Sequence, residues 1–485
     1  MSIFVVMCID KWQSRLSFVF PTQKDGSASP GGGAAVSAKE DRMAVTMPYG
    51  GWTALIDDIV GGRWSNPETG MLASVPYEKI VIEESLDGRE AALVAGLELG
   101  DRYTVVADAD TWDAMGSRVA KALGSLAPVD TVILEHPHAD MANVADLSER
   151  LAGAEGVVAV GSGTINDLCK FVTGRTNRRY AVFGTAASMN GYTSTTASIT
   201  LKSGLKVSLP SHAPSGFFID LNVNAAAPAY LSAAGFADCL VRSVAQVDWW
   251  MSHRLIGSLY SKVPYIIQDA DEQELNTRAK GIANGDIAAN GYLHRVLTMC
   301  GLGVSFTGMS NHGSMGEHQV SHYIDCFAGE KHPGTLHGQQ VGVATLSMAR
   351  LQRLFLDSEK PPVIRPTKID REGMNARMGH EIAAQCWQEI QPKAFDARAA
   401  AEINEKLADI WPTLRQELKA FALPVEDMEQ LLRDAGGPMT SADLGLPVET
   451  YREALVHCRE MRNRYAFLDI AADAGLLEDF AAGEV

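Results

Sequence analysis

Through the first half of the chain, short β-branched runs alternate with segments whose apolar residues recur every three or four positions. YTVVADAD (Tyr103 to Asp110), TVILEH (Thr131 to His136), GVVAVGSG (Gly156 to Gly163), YAVFGTA (Tyr180 to Ala186) and GFFIDL (Gly216 to Leu221) predict strands. TWDAMGSRVAKAL, Thr111 to Leu123, predicts a helix between the first two. Such alternation predicts a mostly parallel sheet covered by helices on both faces. After Leu221 the β signal nearly vanishes. AEINEKLADIWPTLRQEL places Ile403, Leu407, Ile410, Leu414 and Leu418 on one helical face, with Pro412 expected to break or kink the helix. The expected architecture is an α/β domain over residues 47–225 followed by an all-α domain over 226–485, with no internal repeat.

KDGSASPGGGAAVSAKED, Lys24 to Asp41, can bury almost nothing, so residues 1–46 are expected to be a disordered extension, with Met43 or Met47 as an alternative start. MSIFVVMCIDKW lacks a basic start and is interrupted by Asp10 and Lys11, which argues against a signal peptide. No apolar run approaches the roughly 20 residues of a membrane-spanning helix. A net charge of −17 repels nucleic acid and anionic lipid, leaving a small molecule or a second copy of the chain as partner, and a homo-oligomer is expected. The seven cysteines include no CxxC pair, which argues against disulfides and thiolate clusters and fits a reducing cytoplasm.

Three segments carry candidate chemistry. In GVVAVGSGTINDLCKF a strand meets a helix through Gly161, Ser162, Gly163, Thr164 and Ile165; the helix N-terminus would present free N–H groups to a dinucleotide pyrophosphate, although a tight turn without ligand has the same pattern. Asp108 ends an earlier strand, as an acceptor for an adenosine ribose or as a plain turn residue. In MGEHQVSHYID, His318 and His322 share a helical face, and His337 follows in TLHGQQVG. Such clustering suits a divalent metal, or satisfied polar contacts. Asp238 in AAGFADCLVR is the natural carboxylate ligand, or else a helix cap.

Together GSGTINDLCKF, TAASMNGYTSTTASI, AAGFADCL, GEHQVSHYID and LHGQQVGV resemble the ordered motifs of the sn-glycerol-1-phosphate dehydrogenase family, in its bacterial branch, within the dehydroquinate synthase-like and iron-containing alcohol dehydrogenase superfamily. The resemblance runs from WTALIDDIVGGRW to MRNRYAFLDIAADAGLL. It implies a two-domain enzyme with the metal in the interdomain cleft. Asp238, His318 and His337 would hold Zn²⁺, Ni²⁺ or Fe²⁺. NAD or NADP would lie on Asp108, Gly161, Ser162, Gly163, Thr164, Ile165, Thr185, Ser188 and Ser194. Asn190, Asp238 and His322 would meet a polyol phosphate, with Asp238 and His322 catalytic and His322 relaying a proton.

Arg242 stands where iron-type alcohol dehydrogenases place a further histidine. Asn190 replaces the aspartate of the family's Ser-x-Asp-Gly loop, and Asn311-His312 replaces its Arg-Pro. The changes at Asn190 and Asn311-His312 keep open a non-phosphorylated polyol as substrate and a nucleotide-binding relative without turnover, and the fold shared with dehydroquinate synthases keeps open a cyclase or lyase using NAD transiently.

Overall fold

A computed structural model describes residues 47–485; the expected disordered extension lies outside the described residues. The strands are β1 (Lys79–Glu83), β2 (Tyr103–Asp108), β3 (Val129–Leu134), β4 (Gly156–Gly161), β5 (Tyr180–Gly184), β6 (Thr196–Thr200), β7 (Lys206–Pro210) and β8 (Gly216–Asp220). Six form a sheet in the order β1-β8-β5-β4-β2-β3, with every pairing parallel. The inner strands β4, β5 and β8 are buried along their whole length, which is why they read as continuous apolar runs rather than alternating ones.

All five strands expected from the pattern are present. Edge strand β1 and the antiparallel hairpin β6–β7 were not anticipated. The helix expected after β2 forms over Ala109 to Leu123, with a wide π turn at Trp112–Gly116.

Parallel pairing brings the ends of β2, β4 and β5 to one edge, so Asp108, Gly161 and Gly184 share the side of the sheet where α/β folds bind ligands. From that edge α1 (Gly163–Arg175) runs back along the sheet.

The second half is helical. Its principal elements are α2 (Ala229–Leu240), α3 (Arg242–Ile256), α4 (Ile287–Thr307), α5 (Gly316–Phe327), α6 (His337–Leu356) and α7 (Ala397–Phe421). Pro412 does not break α7, which continues through it for 25 residues. A mid-helix proline costs about 3 kcal/mol. Burial of Ile403, Leu407, Trp411, Leu414 and Leu418 along one stripe outweighs it, at roughly 1.5–3 kcal/mol for each large side chain. Among the described residues no helix is long and apolar enough to cross a membrane.

Candidate metal and nucleotide site

Small residues let α2 come close to its neighbours. A Cβ on Gly235 would lie 1.8 Å from the Ala187 carbonyl oxygen, and one on Gly338 would lie 2.2 Å from that of Ala234. Helix α2 is therefore pressed between the 185–195 loop and the start of α6. Asp238 sits inside α2 at 2% exposure, which removes the helix-cap alternative.

Helix α5 sets His318 and His322 one turn apart, and His337 opens α6. The His337 ring centroid is 5.0 Å from that of His318 and 5.3 Å from that of His322. Ligand atoms of Asp238, His318 and His337 lie within 4.8 Å of one another, the one group of this kind among the described residues.

Hydrogen bonds orient each of these side chains. Asp238 Oδ2 accepts the Asn190 backbone N–H at 2.9 Å. Its Oδ1 is buried without a hydrogen-bond partner, 3.3 Å from His318 Nε2. His318 Nδ1 lies 3.0 Å from Glu317 Oε1 and donates to it. Ser321 Oγ gives its only proton to Gln340 Oε1, so at 2.8 Å from His337 Nδ1 it can only accept. The proton of His337 is thus on Nδ1, and its Nε2 keeps a lone pair.

Burial and the neighbouring His318 push His337 down to about 3, so it is neutral at physiological pH. Burial also pulls His318 down, but the adjacent carboxylates of Asp238 and Glu317 outweigh this and raise it. An orphaned carboxylate oxygen and two imidazoles oriented from behind are what a divalent cation requires, and the donor set fits one.

His322 differs. Its Nε2 is 3.2 Å from Arg462 Nη2, and because a guanidinium only donates, Nε2 accepts. Burial first, then Arg462, pushes it well below the usual range. Neutral His322 therefore carries its proton on Nδ1, which is buried and unpartnered.

Behind the candidate ligands, Asp248 accepts backbone N–H groups from Phe467 and Gly316, which anchors the start of α5. Burial and nearby Glu317 push it up to about 8.

At the end of β4 no side chain caps the N-terminus of α1. By helix geometry, the N–H groups of Gly163, Thr164 and Ile165 have no partner within α1. The Ile165 side chain is buried, so only its backbone can meet a ligand. A Cβ on Gly161 would lie 2.6 Å from that of Ile165, and one on Gly163 would lie 3.1 Å from Met189 Cε. Close packing accounts for both glycines.

The Thr185 N–H donates to the Gly161 carbonyl at 3.2 Å, joining this turn to the 185–195 loop. Ser188 is half-buried on that loop, close to Tyr192. The Ser194 hydroxyl is held within the loop, with Gly191 O and Thr196 O as alternative acceptors of its one proton at 3.0 and 2.9 Å. Asp108 Oδ1 accepts the N–H and hydroxyl of Thr111 at 2.8 and 2.9 Å and caps the following helix. Asn190 offers its N–H to Asp238, while its amide lies beside Cys300. Arg242, at the position of the alcohol dehydrogenase histidine, is committed to Glu272 and Asp269.

Sequence reasoning passed over several residues. Lys170, buried and pushed down to about 8, donates to Gly191 O at 2.6 Å and Thr196 O at 3.2 Å, bracing the loop. Its place one turn after Asn166-Asp167 in GSGTINDLCKF was the available signal. Arg464 donates to the Ser314 carbonyl and to Ser310 Oγ, so an arginine from the C-terminal segment supports the Asn311-His312 loop.

Residues 81–228 match the family model described as iron-containing alcohol dehydrogenase. The glycerol-1-phosphate dehydrogenase [NAD(P)+] of Bacillus velezensis is 29% identical over 378 residues, 76% of this chain and 84% of that protein. Among solved structures, glycerol dehydrogenase from Schizosaccharomyces pombe aligns with a TM-score of 0.56 at 16% identity, covering 84% of this chain and 90% of that one. A probable glycerol dehydrogenase from Sinorhizobium meliloti aligns at 0.54 and 18% identity, covering 84% and 98%. These likenesses show the fold, an α/β region followed by a helical one. The glycerol-1-phosphate dehydrogenase [NAD(P)+] of Methanoculleus marisnigri is 30% identical over 268 residues, 55% of this chain and 73% of that protein. By that match the chain belongs to the glycerol-1-phosphate dehydrogenase family.

Proposed function

We propose that this chain is a metal-dependent, NAD(P)-linked dehydrogenase that interconverts sn-glycerol 1-phosphate and dihydroxyacetone phosphate, or a closely related polyol phosphate. The observation that carries the reading is the convergence of Asp238, His318 and His337 next to the loop that borders the uncapped Gly161–Ile165 turn. Asp238, His318 and His337 would hold an ion that, when bound, would supply an electrophile, and a bound nicotinamide would supply the redox chemistry. Zn²⁺, Ni²⁺ and Fe²⁺ all suit a carboxylate and imidazole set.

The chain's own residues do the rest. Gly163, Thr164 and Ile165 present N–H groups to the pyrophosphate. Asp108 stands at the same sheet edge, where its free carboxylate oxygen suits a ribose hydroxyl. Thr185, Ser188 and Ser194 line the loop over which the nicotinamide would lie, and Lys170 holds that loop in place. The unpartnered Nδ1–H of His322 would donate a hydrogen bond to a substrate oxygen, and the proton consumed when the ketone is reduced would come from solvent by way of that contact. Residues 47–225 would hold the nucleotide and residues 226–485 the metal.

We infer a cytoplasmic setting, supported by six free cysteines among the described residues. We also infer a homo-oligomer, for which exposed Tyr49, Met71 and Leu72 offer apolar surface.

The test is stoichiometric oxidation of NADH or NADPH by the metal-loaded protein with dihydroxyacetone phosphate, followed by chiral analysis of the product. One nicotinamide consumed per sn-glycerol 1-phosphate formed is the expected result. Conversion of a substrate with no net change in nicotinamide would replace this reading with a transient-redox cyclase or lyase.

A further inference from the structure

The geometry points to Arg462 as the residue that grips the phosphate of the substrate at the mouth of the metal site, beside His322. This deepens the dehydrogenase reading and rests on it. Arg462 is half-buried. Its Nη2 lies 3.2 Å from His322 Nε2, deep in the site, and 3.5 Å from the hydroxyl of exposed Ser208. Nη2 therefore sits between the buried histidine cluster and exposed Ser208, and among the described residues no hydrogen bond is made by Nε or Nη1.

Among the described residues no carboxylate lies within ion-pair distance of Arg462 or Arg464, whereas nearby Lys206 is neutralised by Asp325 at 2.7 Å. Glu389 is the strongest acidic influence on Arg462, but its Oε2 accepts the Asn463 backbone N–H at 3.0 Å. Arg464 is spent on the Ser310–Ser314 loop, which leaves Arg462 with donors in excess.

In a chain of net charge −17, a partly desolvated arginine facing only a neutral imidazole and a hydroxyl is an expensive arrangement. A phosphate monoester dianion compensates it with charge-assisted hydrogen bonds, which arginine forms in a bidentate fork. The placement also orders the substrate. With its phosphate on Arg462, the adjoining carbon chain must cross His322 to reach the metal ligands, so the unpartnered His322 Nδ1–H meets the substrate between its two anchors.

The probes are dihydroxyacetone phosphate, dihydroxyacetone and inorganic phosphate, applied to metal-loaded wild-type, Arg462→Met and Arg462→Lys proteins whose metal content and circular dichroism are matched. The kcat/KM preference for the phosphorylated over the free ketone should fall roughly 10- to 100-fold in Arg462→Met, the worth of one charge-assisted contact, and recover in part in Arg462→Lys. Calorimetric affinity for inorganic phosphate should fall by a similar factor. A preference and a phosphate affinity both within twofold of wild type would overturn the assignment. If the wild type reduces neither ketone, the dehydrogenase reading fails, and the phosphate titration still decides the subsite. Phosphate binding lost with Arg462 supports it, and equal binding in both proteins, or none in the wild type, overturns it.

Discussion

The back and the mouth of the site are built from opposite charges. At the back, Asp238 and Glu317 are buried beside His318 with one carboxylate oxygen of Asp238 unpaired, and these two acids raise His318. At the mouth, Arg462 and Lys206 surround His322, which burial and those cations drive down. The two histidines share a helix, one turn apart, and are chemically unlike. The same residue type suits a metal ligand where carboxylates converge on it and a neutral hydrogen-bond donor where cations do. Sequence spacing brings the pair together, and the charges of distant segments divide their labour.

Breaking the back should have the largest effect. Asp238→Asn, His318→Ala and His337→Ala should each reduce bound metal from about one ion per chain to near zero, since three protein ligands are the usual complement of an open site. Elemental analysis after dialysis checks this, and full metal content in any of the three would remove that residue from the ligand set. Next comes Glu317→Gln. It keeps the shape of the group that holds His318 Nδ1 but removes its charge, so metal affinity should weaken about 10- to 100-fold by competition with a chelator.

A third change tests the loop that joins the two halves of the site. Lys170→Met would leave Gly191 O, Ser194 Oγ and Thr196 O without their shared donor, at a cost of about 1–3 kcal/mol. The expected outcome is a Tm lower by a few degrees and a KM for NAD(P)H raised several-fold, with metal content unchanged. Loss of metal instead would mean that the loop is also required to hold Asp238.

The smallest effect is expected from Asn190→Asp. The contact that matters to Asp238 is the backbone N–H, which every residue but proline supplies, and the amide faces Cys300. A change in kcat/KM for dihydroxyacetone phosphate below about threefold is predicted. A rise of tenfold or more would place this side chain on the substrate, as the family comparison suggests.

Much of this could be read before any coordinates were considered. Four of the five predicted strands announced themselves because parallel strands covered on both faces are near-continuously apolar, and the half-exposed edge strand β3 did so through its β-branched TVIL run. β1 and the β6–β7 hairpin did not. KIVIE has only three apolar residues between Lys79 and Glu83, and TASIT and KVSLP are half-polar ribbons between loops, so no periodicity stands out. Pro412 misled because its local cost is visible in sequence, whereas the apolar stripe that outweighs it depends on the packing of α7.

His318, His322, His337 and Asp238 were legible as chemistry-bearing residues in glycine-rich surroundings. Their orientation was not, since Ser321, Gln340 and Asn190 act through hydrogen bonds that carry no residue-type signature. Arg462 was invisible for a plainer reason. It lies 140 positions from His322, and only its RNR context in an acidic chain hinted at a role.

The central claim, that one helix presents a metal ligand at His318 and a non-ligand at His322, is tested most directly by measuring the metal content of His322→Ala beside that of His337→Ala. The account predicts that His322→Ala retains about one ion per chain while His337→Ala retains almost none. Equal loss in both would make His322 a ligand and contradict the division between back and mouth.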